Sequence, residues 1–385
     1  MIISDLKTYV VQLKDASRYT VTWTYLRIET DTGIVGWGEA GASVQNTALV
    51  CRTGLEQLRP ILIGENPSDI ERIWHKIYRT YTYFGSKGFG TAIASAVDLA
   101  LWDIKGKEVG KPVFDLIGGR FRNRILLYNN TWFLGAKTPE EFADYAKRNV
   151  IDQGYTACKI DPFLEMRPYH RMYQSGQISE SGEQEGYDIV ASVREAVGPK
   201  HEILIDAHGH YNVPTAIRLA NNLHEQSNIT WFEEPVPPES YDALASVRQQ
   251  TVPPICIGER LRTRWDFLPV LQNSLTDYIM PDTLWTGGIT EIRKIAQLAE
   301  IYNIPISPHC VPLGPHEIIA AAHVCSTVPN FYRLESGFSA IPVYQKMLTE
   351  PLLYEDGHLI LNGKPGLGYD LREDWLEENK FITNE

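Results

Sequence analysis

The chain has 385 residues, of which 43% are apolar and 22% are charged, which suits a globular protein with one domain of roughly 250 residues and a smaller one. The net charge of −12, without any Lys- or Arg-rich run, argues against a nucleic-acid partner. No apolar run approaches the roughly 20 residues of a membrane-spanning helix, which argues against a membrane partner.

The cysteine pattern indicates a reducing compartment. Five cysteines are scattered along the chain without paired spacing, which argues against a disulfide framework and a zinc site. The first residues lack the basic start, apolar stretch and cleavage site of a secretory signal. We therefore expect the protein in the cytoplasm.

The first third of the chain is predicted to be an α+β domain, over Met1–Phe121. Apolar and polar residues alternate over Leu26–Glu29, and a glycine turn follows, as expected for antiparallel strands. Asn66–Asp69 carries a capping residue and a proline, which predicts the start of a helix. A second helix is predicted over Ala94–Lys107.

From about Arg124 onward, short apolar runs alternate with amphipathic helices. One of these helices has a predicted capping box that begins at Thr138. Such alternation implies parallel strands joined by right-handed crossovers. The strand candidates are Leu126–Tyr128, Ala157–Ile160, Ile203–Ile205, Thr230–Phe232, Ile255–Ile257, Tyr278–Met280, Pro305–Ser307 and Tyr332–Leu334. Seven or eight such units indicate an α/β fold and favour a β/α (TIM) barrel, over about Arg122–Pro351, against the alternative of an open sheet.

One stretch interrupts this alternation. Leu164–Tyr187 follows the second barrel strand and is polar and rich in Gly, Ser and Glu. This composition predicts a solvated surface loop.

Charged residues recur where the predicted strands end, which is where a β/α barrel builds its active site. A single acid in such a place is usually a helix cap, but Asp206, Glu233 and Glu259 follow three consecutive strands. Three converging carboxylates repel one another strongly unless a cation lies between them. Because the ligands are hard oxygens, Mg²⁺ is the expected ion.

Eight motifs give the chain an end-to-end resemblance to the mandelate racemase subgroup of the enolase superfamily. They are TDTGIVGWGEA (Thr30–Ala40), SAVDLALWDIKGK (Ser95–Lys107), LIDAHG (Leu204–Gly209), WFEEP (Trp231–Pro235), GER (Gly258–Arg260), MPDTLWTGGITE (Met280–Glu291), SPHC (Ser307–Cys310) and KPGLGYD (Lys364–Asp370). The resemblance implies a modified TIM barrel covered by an N-terminal α+β capping domain. It also implies that the last segment, Leu352–Glu385, returns to the capping domain.

The resemblance assigns roles to the charged residues. Asp206, Glu233 and Glu259 would be metal ligands, with Glu234 behind them. In the family, Asp282 and His309 would form a dyad in which the carboxylate supports a basic imidazole. Two further catalytic assignments concern the substrate carboxylate: Lys159 would help offset its charge, and Glu335, if protonated, would donate to it. The alternative for Glu335 is a salt-bridged acid at the barrel end.

The sequence also departs from the racemase pattern. Many relatives carry two lysines separated by one residue after the second strand, whereas this chain has Lys159-Ile160-Asp161. Asp161 is assigned to substrate binding, with a loop turn as the alternative. His208 lies two residues after Asp206, so it should face the same side. This arrangement resembles the galactonate dehydratases, and Lys159–Phe163 resembles gluconate dehydratases, which makes His208 the expected general acid.

The remaining candidates are less specific. Arg260 would bind substrate or brace Glu259, and bracing is favoured. Trp23 and Tyr83 are assigned to a substrate-facing aromatic wall of the capping domain, together with Tyr25, Tyr81 and Phe84; the alternative is that they lie in the core or at a subunit interface. His210 is expected to be structural.

The function implied is Mg²⁺-dependent dehydration of an aldonic acid to its 2-keto-3-deoxy product. His309 would remove the α-proton, Mg²⁺ would stabilise the enediolate, and His208 would protonate the departing hydroxyl. With Asp161 in place of the second lysine, His309 is the base that remains, and in this family that base serves 2R acids.

Two rival functions stay open. A racemase, epimerase or cycloisomerase could use the same scaffold, although racemisation needs proton donors on both faces of the α-carbon. A non-catalytic binding or regulatory barrel would have no need of the ligand set and the Asp–His pair. The partner expected from the resemblance is a small sugar acid, and the chain is expected to form a homo-oligomer. The sugar itself, aldonic or aldaric, is not specified by the sequence.

Overall fold

The computed structural model describes residues 1–14, 20–41, 45–83, 85–169, 175–310 and 314–381. The N-terminal part is a three-stranded antiparallel sheet in the order β1-β2-β3, covered by helices. Its elements are β1 (Ile3–Lys14), β2 (Thr20–Thr30), β3 (Val35–Ala40), α1 (Gln45–Gln57), α2 (Arg59–Leu62), α3 (Ile70–Thr80), α4 (Phe89–Val109) and α5 (Val113–Leu116).

Close packing of α4 on β3 explains the glycines in one of the sequence motifs. A side chain at Gly36 or Gly38 would collide with the backbone of Ala100 or Ala96 in α4. Only a residue without a Cβ permits this approach of strand and helix.

The predicted start of the first of these helices is less accurate. Asn66 accepts from the Ser68 backbone N–H at 3.0 Å and forms a turn, and α3 begins only at Ile70.

The second part is a closed barrel. Its parallel strands are β4 (Ile125–Asn130), β5 (Ala157–Ile160), β6 (Glu202–Asp206), β7 (Trp231–Glu233), β8 (Ile255–Ile257), β9 (Tyr278–Ile279) and β10 (Leu334–Gly337). These are seven strands. The eighth position of the barrel, between β9 and β10, is occupied by the segment around Ile306, which forms parallel bridges to Ile279 and Phe331. Pairing of β10 with β4 then closes the ring of eight.

Helices surround the barrel between successive strands. They are α6 (Pro139–Ala146), α7 (Glu180–Val197), α8 (Val213–Ser227), α9 (Tyr241–Gln250), α10 (Thr263–Gln272), α11 (Thr283–Thr286), α12 (Gly288–Ile301) and α13 (Pro315–Cys325). The predicted capping box of α6 is confirmed, because the Thr138 side chain accepts from the Glu141 backbone at 3.3 Å and Glu141 accepts from the Thr138 backbone in return.

The predicted loop over Leu164–Tyr187 is wrong in its second half. Residues from Glu180 onward are the first turns of α7, while 170–174 lie outside the described residues. The glycines that suggested a loop serve close packing instead: a Cβ at Gly186 would collide with the ring of Phe163, and one at Gly182 would collide with Glu165. Tertiary contact therefore overrides low helix propensity here.

The C-terminal segment contacts both parts of the molecule. After α14 (Ile341–Met347), the hairpin of β11 (Leu353–Glu355) and β12 (His358–Ile360) pairs with barrel strand β4. Farther along, Lys380 bridges to Val11 of the capping sheet, and α15 (Glu373–Glu378) lies nearby. The exact domain boundaries stay a prediction.

Hydrogen bonds fix the capping domain against the barrel. Trp74 Nε1 donates to the Gly287 carbonyl at 2.8 Å, and the Thr290 N–H donates to Asp98 at 3.0 Å. The predicted fold, a barrel with an N-terminal α+β cap, is confirmed. Among the helices within the described ranges, none has the length and apolarity needed to cross a membrane.

Candidate active site

Three buried carboxylates meet at the carboxyl ends of neighbouring strands. Asp206 and Glu233 end β6 and β7 and are paired in register, and Glu259 lies two residues past β8. Gly258, with a φ of +137°, adopts the backbone that turns Glu259 towards the other two. One oxygen from each acid lies within 4.8 Å of the others. The strand positions predicted from the sequence thus bring these acids together.

The electrostatics of this acid cluster favour a bound cation. Burial and the negative charge of Asp206 raise the pKa of Glu233 well above its ordinary value. Holding all three acids ionised therefore costs free energy unless a positive charge compensates. The cluster offers only carboxylate oxygens as close ligands, which suits a hard divalent cation. Asp206, Glu233 and Glu259 are the residues that would hold it.

Lys159 supplies a permanent positive charge beside the cluster. Its Nζ lies 2.6 Å from Glu233 Oε1, 3.2 Å from Asp206 Oδ2 and 2.9 Å from Glu335 Oε1. Burial lowers the pKa of Lys159. The negative charges around it, chiefly those of Glu233 and Glu335, together have the larger effect and raise this pKa well above its ordinary value. Lys159 therefore places a positive charge directly against three acids.

Glu335, at β10, is held by donors on both oxygens. Besides Lys159, Asn130 Nδ2 donates to Oε1 at 2.8 Å, and the Cys310 N–H donates to Oε2 at 3.0 Å. Ionised carboxylates accept such a set of donors. The contacts favour the salt-bridged alternative over a protonated Glu335 that donates to substrate.

Asp282 and His309 form the expected dyad. His309 Nδ1 lies 2.7 Å from Asp282 Oδ2, while Asp282 Oδ1 accepts from the Leu284 and Trp285 N–H groups at 2.8 and 2.9 Å. With Nδ1 as the donor, Nε2 is the basic nitrogen, and it lies 3.5 Å from Glu259 Oε2. Burial lowers the pKa of His309, but Glu335 and the Asp282 hydrogen bond raise it to about 9.

A second Asp–His pair was not predicted as such. His208 Nδ1 lies 3.2 Å from Asp161 Oδ2, and its Nε2 lies 3.4 Å from Asp206 Oδ2. Burial lowers the pKa of His208, whereas Asp206 and Asp161 raise it above its ordinary value. The signal lay in the register, because β5 and β6 are neighbouring parallel strands and each is followed by one member of the pair.

The contacts of Asp161 differ from its assignment to substrate binding. One of its oxygens is directed at His208, and Oδ1 accepts from the Phe163 N–H at 3.3 Å. The turn predicted as the alternative is therefore present, and Asp161 also orients the imidazole.

Known proteins share this architecture and sequence. The mandelate racemase / muconate lactonizing enzyme N-terminal domain matches residues 2–118, and the enolase C-terminal domain-like family matches residues 141–375. The chain belongs to the mandelate racemase/muconate lactonizing enzyme family of the enolase superfamily. The predicted family is confirmed. Members of this superfamily bind a divalent metal, and the three converging acids could hold one.

Individual relatives in this family differ in activity. A D-galactonate dehydratase from Pectobacterium atrosepticum is 35% identical over 92% of this chain and 90% of its own length. A D-galactarolactone cycloisomerase from Agrobacterium fabrum is 32% identical over 92% of this chain and 90% of its own. Among solved structures, a mandelate racemase/muconate lactonizing enzyme-like protein from Rubrobacter xylanophilus has a TM-score of 0.88, with 34% identity over 99% of this chain and 98% of that one.

Arg260 is positioned to brace Glu259, the third acid of the cluster. Its Nε lies 3.3 Å from Glu259 Oε1, and its guanidinium also donates to the His208 carbonyl. Glu234 is placed behind the cluster, where Oε1 accepts from the Gly258 N–H at 2.9 Å. Both contacts hold the turn that presents Glu259.

The aromatic residues assigned to a substrate-facing wall lie elsewhere. Trp23 is 2% exposed and packs 6.1 Å from Tyr344 within the core, so the core alternative describes it. Tyr25 is also fully buried. Tyr83 is 91% exposed, in a turn after α3, and has no described contact with the acid cluster. Phe84 lies outside the described residues.

Trp285 is the aromatic residue that does reach the dyad, and the sequence analysis missed it. Its ring stacks on His309, with centroids 5.1 Å apart and planes 28° apart, and its Nε1 donates to the Gly41 carbonyl at 3.0 Å. The available signal was its position, three residues after Asp282 in a short helix that Asp282 caps.

Proposed function

We propose that this protein is a Mg²⁺-dependent sugar-acid dehydratase, a hydro-lyase that converts an aldonic acid to a 2-keto-3-deoxy acid. The observation that carries the proposal is the pair of imidazoles at the acid cluster. His309 Nε2 approaches Glu259 and His208 Nε2 approaches Asp206. Because the two histidines follow barrel strands on opposite sides of the ring, a substrate bound between them would meet a base and an acid.

The residues divide the reaction between them. Bound Mg²⁺ would hold the substrate carboxylate and stabilise the negative charge that develops on it. His309 takes the proton from C2, while Asp282 keeps the imidazole in the required tautomer. His208 gives a proton to the C3 hydroxyl, so that the C–O bond breaks and water leaves. The resulting enol takes up a proton at C3 and loses the proton of its C2 hydroxyl, which gives the 2-keto acid.

A cycloisomerase is the second candidate, because one relative at 32% identity has that activity. Such a reaction also begins with removal of an α-proton, but no water leaves. The two proposals therefore differ in the product. Mass spectrometry would separate them, since a dehydration product is lighter than its substrate by one water and an isomerisation product has the same mass.

A panel of aldonic and aldaric acids, assayed for 2-keto acids with and without Mg²⁺, tests the proposal directly. Exchange of the α-proton in deuterated water provides a second readout that does not depend on the leaving group. A non-catalytic barrel would show neither. Full turnover after exhaustive chelation would contradict the metal requirement.

We also propose that the substrate is a 2R hydroxy acid. In this family, a base on the second strand serves 2S acids and the Asp–His dyad serves 2R acids. Here Asp161 is engaged with His208, which supports His309 as the base. Assays of C2-epimeric aldonic acids, such as D-gluconate and D-mannonate, should show preference for the 2R member. Preference for the 2S member would mean that another residue is the base.

Cellular context and assembly stay proposals. All five cysteines are free and buried, which supports a reducing compartment such as the cytoplasm. We propose a homo-oligomer by resemblance to the family, to be measured by light scattering of the purified chain. A monomer at micromolar concentration would contradict it.

A further inference from the structure

A second acidic group lies beside Asp282, and the proposed reaction does not use it. Glu317, in the first turn of α13, is fully buried, and one of its oxygens lies within 4.8 Å of ligand atoms of both Asp282 and His309. Glu39, at the end of β3 in the capping domain, is fully buried as well. Neither is a ligand in the acid cluster of Asp206, Glu233 and Glu259.

Glu317 lacks the partners that an ionised carboxylate needs. Neither of its oxygens has a hydrogen-bond donor in the part of the chain that the structure describes. The described lysines and arginines form no ion pair with it. Burial and the negative charge of Asp282 raise its pKa well above the ordinary value. The absence of donors among the described residues and the neighbouring charge of Asp282 both favour the protonated carboxyl, whose O–H needs an acceptor.

Asp282 is the acceptor within reach, because one of its oxygens lies within 4.8 Å of an oxygen of Glu317. Two backbone N–H groups and His309 already donate to the oxygens of Asp282. When two buried carboxyls lie this close, one proton is shared between them, and it resides on the acid with fewer donors. That acid is Glu317.

Glu39 holds Glu317 in place from the capping domain. Its Oε1 accepts from the Gly314 N–H at 2.5 Å, at the N-terminus of the helix that carries Glu317. Burial, the largest effect, raises the pKa of Glu39 to about 8, although backbone N–H groups of Gly314, His316 and Glu317 lower it. A Cβ at Gly314 would collide with Glu39 and Tyr25, so the contact requires glycine.

We propose that Glu317 is a positioning residue for the dyad: its protonated carboxyl donates to Asp282 and keeps that carboxylate aligned on His309 Nδ1. Glu317 is not one of the three acids of the cluster, and it acts through Asp282. The kinetic part of the proposal rests on the proposed function, because it takes His309 as the base. The contact itself does not depend on the substrate.

Two substitutions of Glu317 by residues of similar size separate the effect of its hydrogen bond to Asp282 from the effect of its packing. Glu317→Gln keeps a donor, because its amide N–H can replace the carboxyl O–H, so kcat should stay within about threefold of the wild type. Glu317→Leu removes the donor, and kcat should fall about 10- to 100-fold with KM unchanged, as expected for a hydrogen bond to a charged group. The primary deuterium isotope effect at C2 should rise, since proton removal becomes slower.

A matched control lies at the interface between the domains. Asp98 is also a buried acid with one unpartnered oxygen and a pKa raised to about 7, mainly by burial, but it contacts Thr290 and not the dyad. Asp98→Asn should leave kcat unchanged. If Glu317→Leu behaves like this control, or if Glu317→Gln is as damaging as Glu317→Leu, the positioning role is overturned.

A double-mutant cycle tests the contact without any substrate. The unfolding equilibrium is measured for Asp282→Asn, for Glu317→Leu and for the double variant. Coupling should appear as a deviation of about tenfold from the product of the two single effects on the unfolding constant. Additive effects would overturn the proposal. A coupled cycle in a protein that dehydrates no sugar acid would overturn the proposed function and support the contact.

Discussion

Two successive layers of the barrel interior are built by the same strands and bury opposite kinds of side chain. The lower layer is apolar and consists of Tyr128, Ala157, Leu204, Trp231, Cys256 and Met280. Two residues farther along three of these strands lie Lys159, Asp206 and Glu233. Both layers are almost completely buried. The strand period of two directs both layers inward.

The layers differ in what their burial contributes. Apolar surface gains about 25 cal/mol per Å² when it leaves water. Buried charges lose hydration, and their mutual attraction recovers this loss only with good geometry. The free energy gained by burying the apolar lower layer therefore offsets the cost of burying the charges of the upper layer. Residues that stabilise the barrel and residues of the candidate site therefore lie only two positions apart on the same strands. Substitutions in the lower layer should affect stability, and substitutions in the upper layer should affect activity.

The largest effect is expected from Glu233→Gln in the charged layer. Activity should be abolished, because the cation loses a ligand, and the thermal shift produced by Mg²⁺ should disappear. Without metal, the variant should be about as stable as the wild type, since the repulsion from Asp206 and the ion pair with Lys159 are lost together. Calorimetry with and without MgCl₂ measures this.

Glu202→Gln is the matched control for that substitution. Glu202 begins β6 at the opposite end from Asp206 and pairs with Arg333 at 2.6 Å. Activity and the Mg²⁺-dependent shift should both persist in this variant. An unchanged Mg²⁺ shift in Glu233→Gln would mean that the cation binds elsewhere.

The next largest effects concern the two histidines above the charged layer. His309→Asn should stop both dehydration and α-proton exchange, because the base is lost. His208→Asn should stop dehydration and retain exchange, because only protonation of the leaving group is lost. Each loss should be about 10²–10⁴-fold. Equal loss of exchange in both variants, with metal and substrate still bound, would show that the division of roles is wrong.

The sequence revealed much of this layered design because its signals are local. Apolar runs that end in a charge located the strand ends, and the ranges predicted for Ala157–Ile160 and Ile255–Ile257 agree with β5 and β8. The register of neighbouring strands is not local, which is why the pairing of Asp161 with His208 was missed. Burial of Trp23 likewise depends on Tyr344, more than 300 residues away in the chain.

In the apolar layer, Leu204→Ala should chiefly affect stability. Removing a fully buried leucine usually costs about 2–5 kcal/mol, whereas the volume-conserving Leu204→Met should cost less than about 1.5 kcal/mol. The kcat per folded molecule should change little, because no charged group is removed. If Leu204→Ala lost more activity than stability, the two layers would not be separable.

The smallest expected effect concerns two histidines whose surroundings shift their pKa values in opposite directions. His309, among charges at the barrel mouth, has a pKa raised to about 9 by Glu335 and Asp282 despite burial. His323, in α13, has a pKa lowered to about 4, chiefly by burial. Its ring accepts from the Phe114 N–H at 3.2 Å and donates to the Leu367 carbonyl at 3.0 Å, which fixes it in the neutral form.

The sign of the resulting pH dependence follows from linkage. The unfolded chain binds a proton at His323 near the ordinary histidine pKa of about 6.5, whereas the folded chain resists it down to about 4. Stability is therefore lost as the pH falls through this interval, by about 1.4 kcal/mol per pH unit for one histidine. His323→Asn keeps an acceptor for Phe114 but cannot titrate. Its free energy of unfolding, measured in denaturant, should lie below that of the wild type at pH 7.5, and the gap should narrow steadily towards pH 4.5. Parallel curves would mean that protonation of His323 does not contribute to acid unfolding and that burial leaves its pKa unchanged.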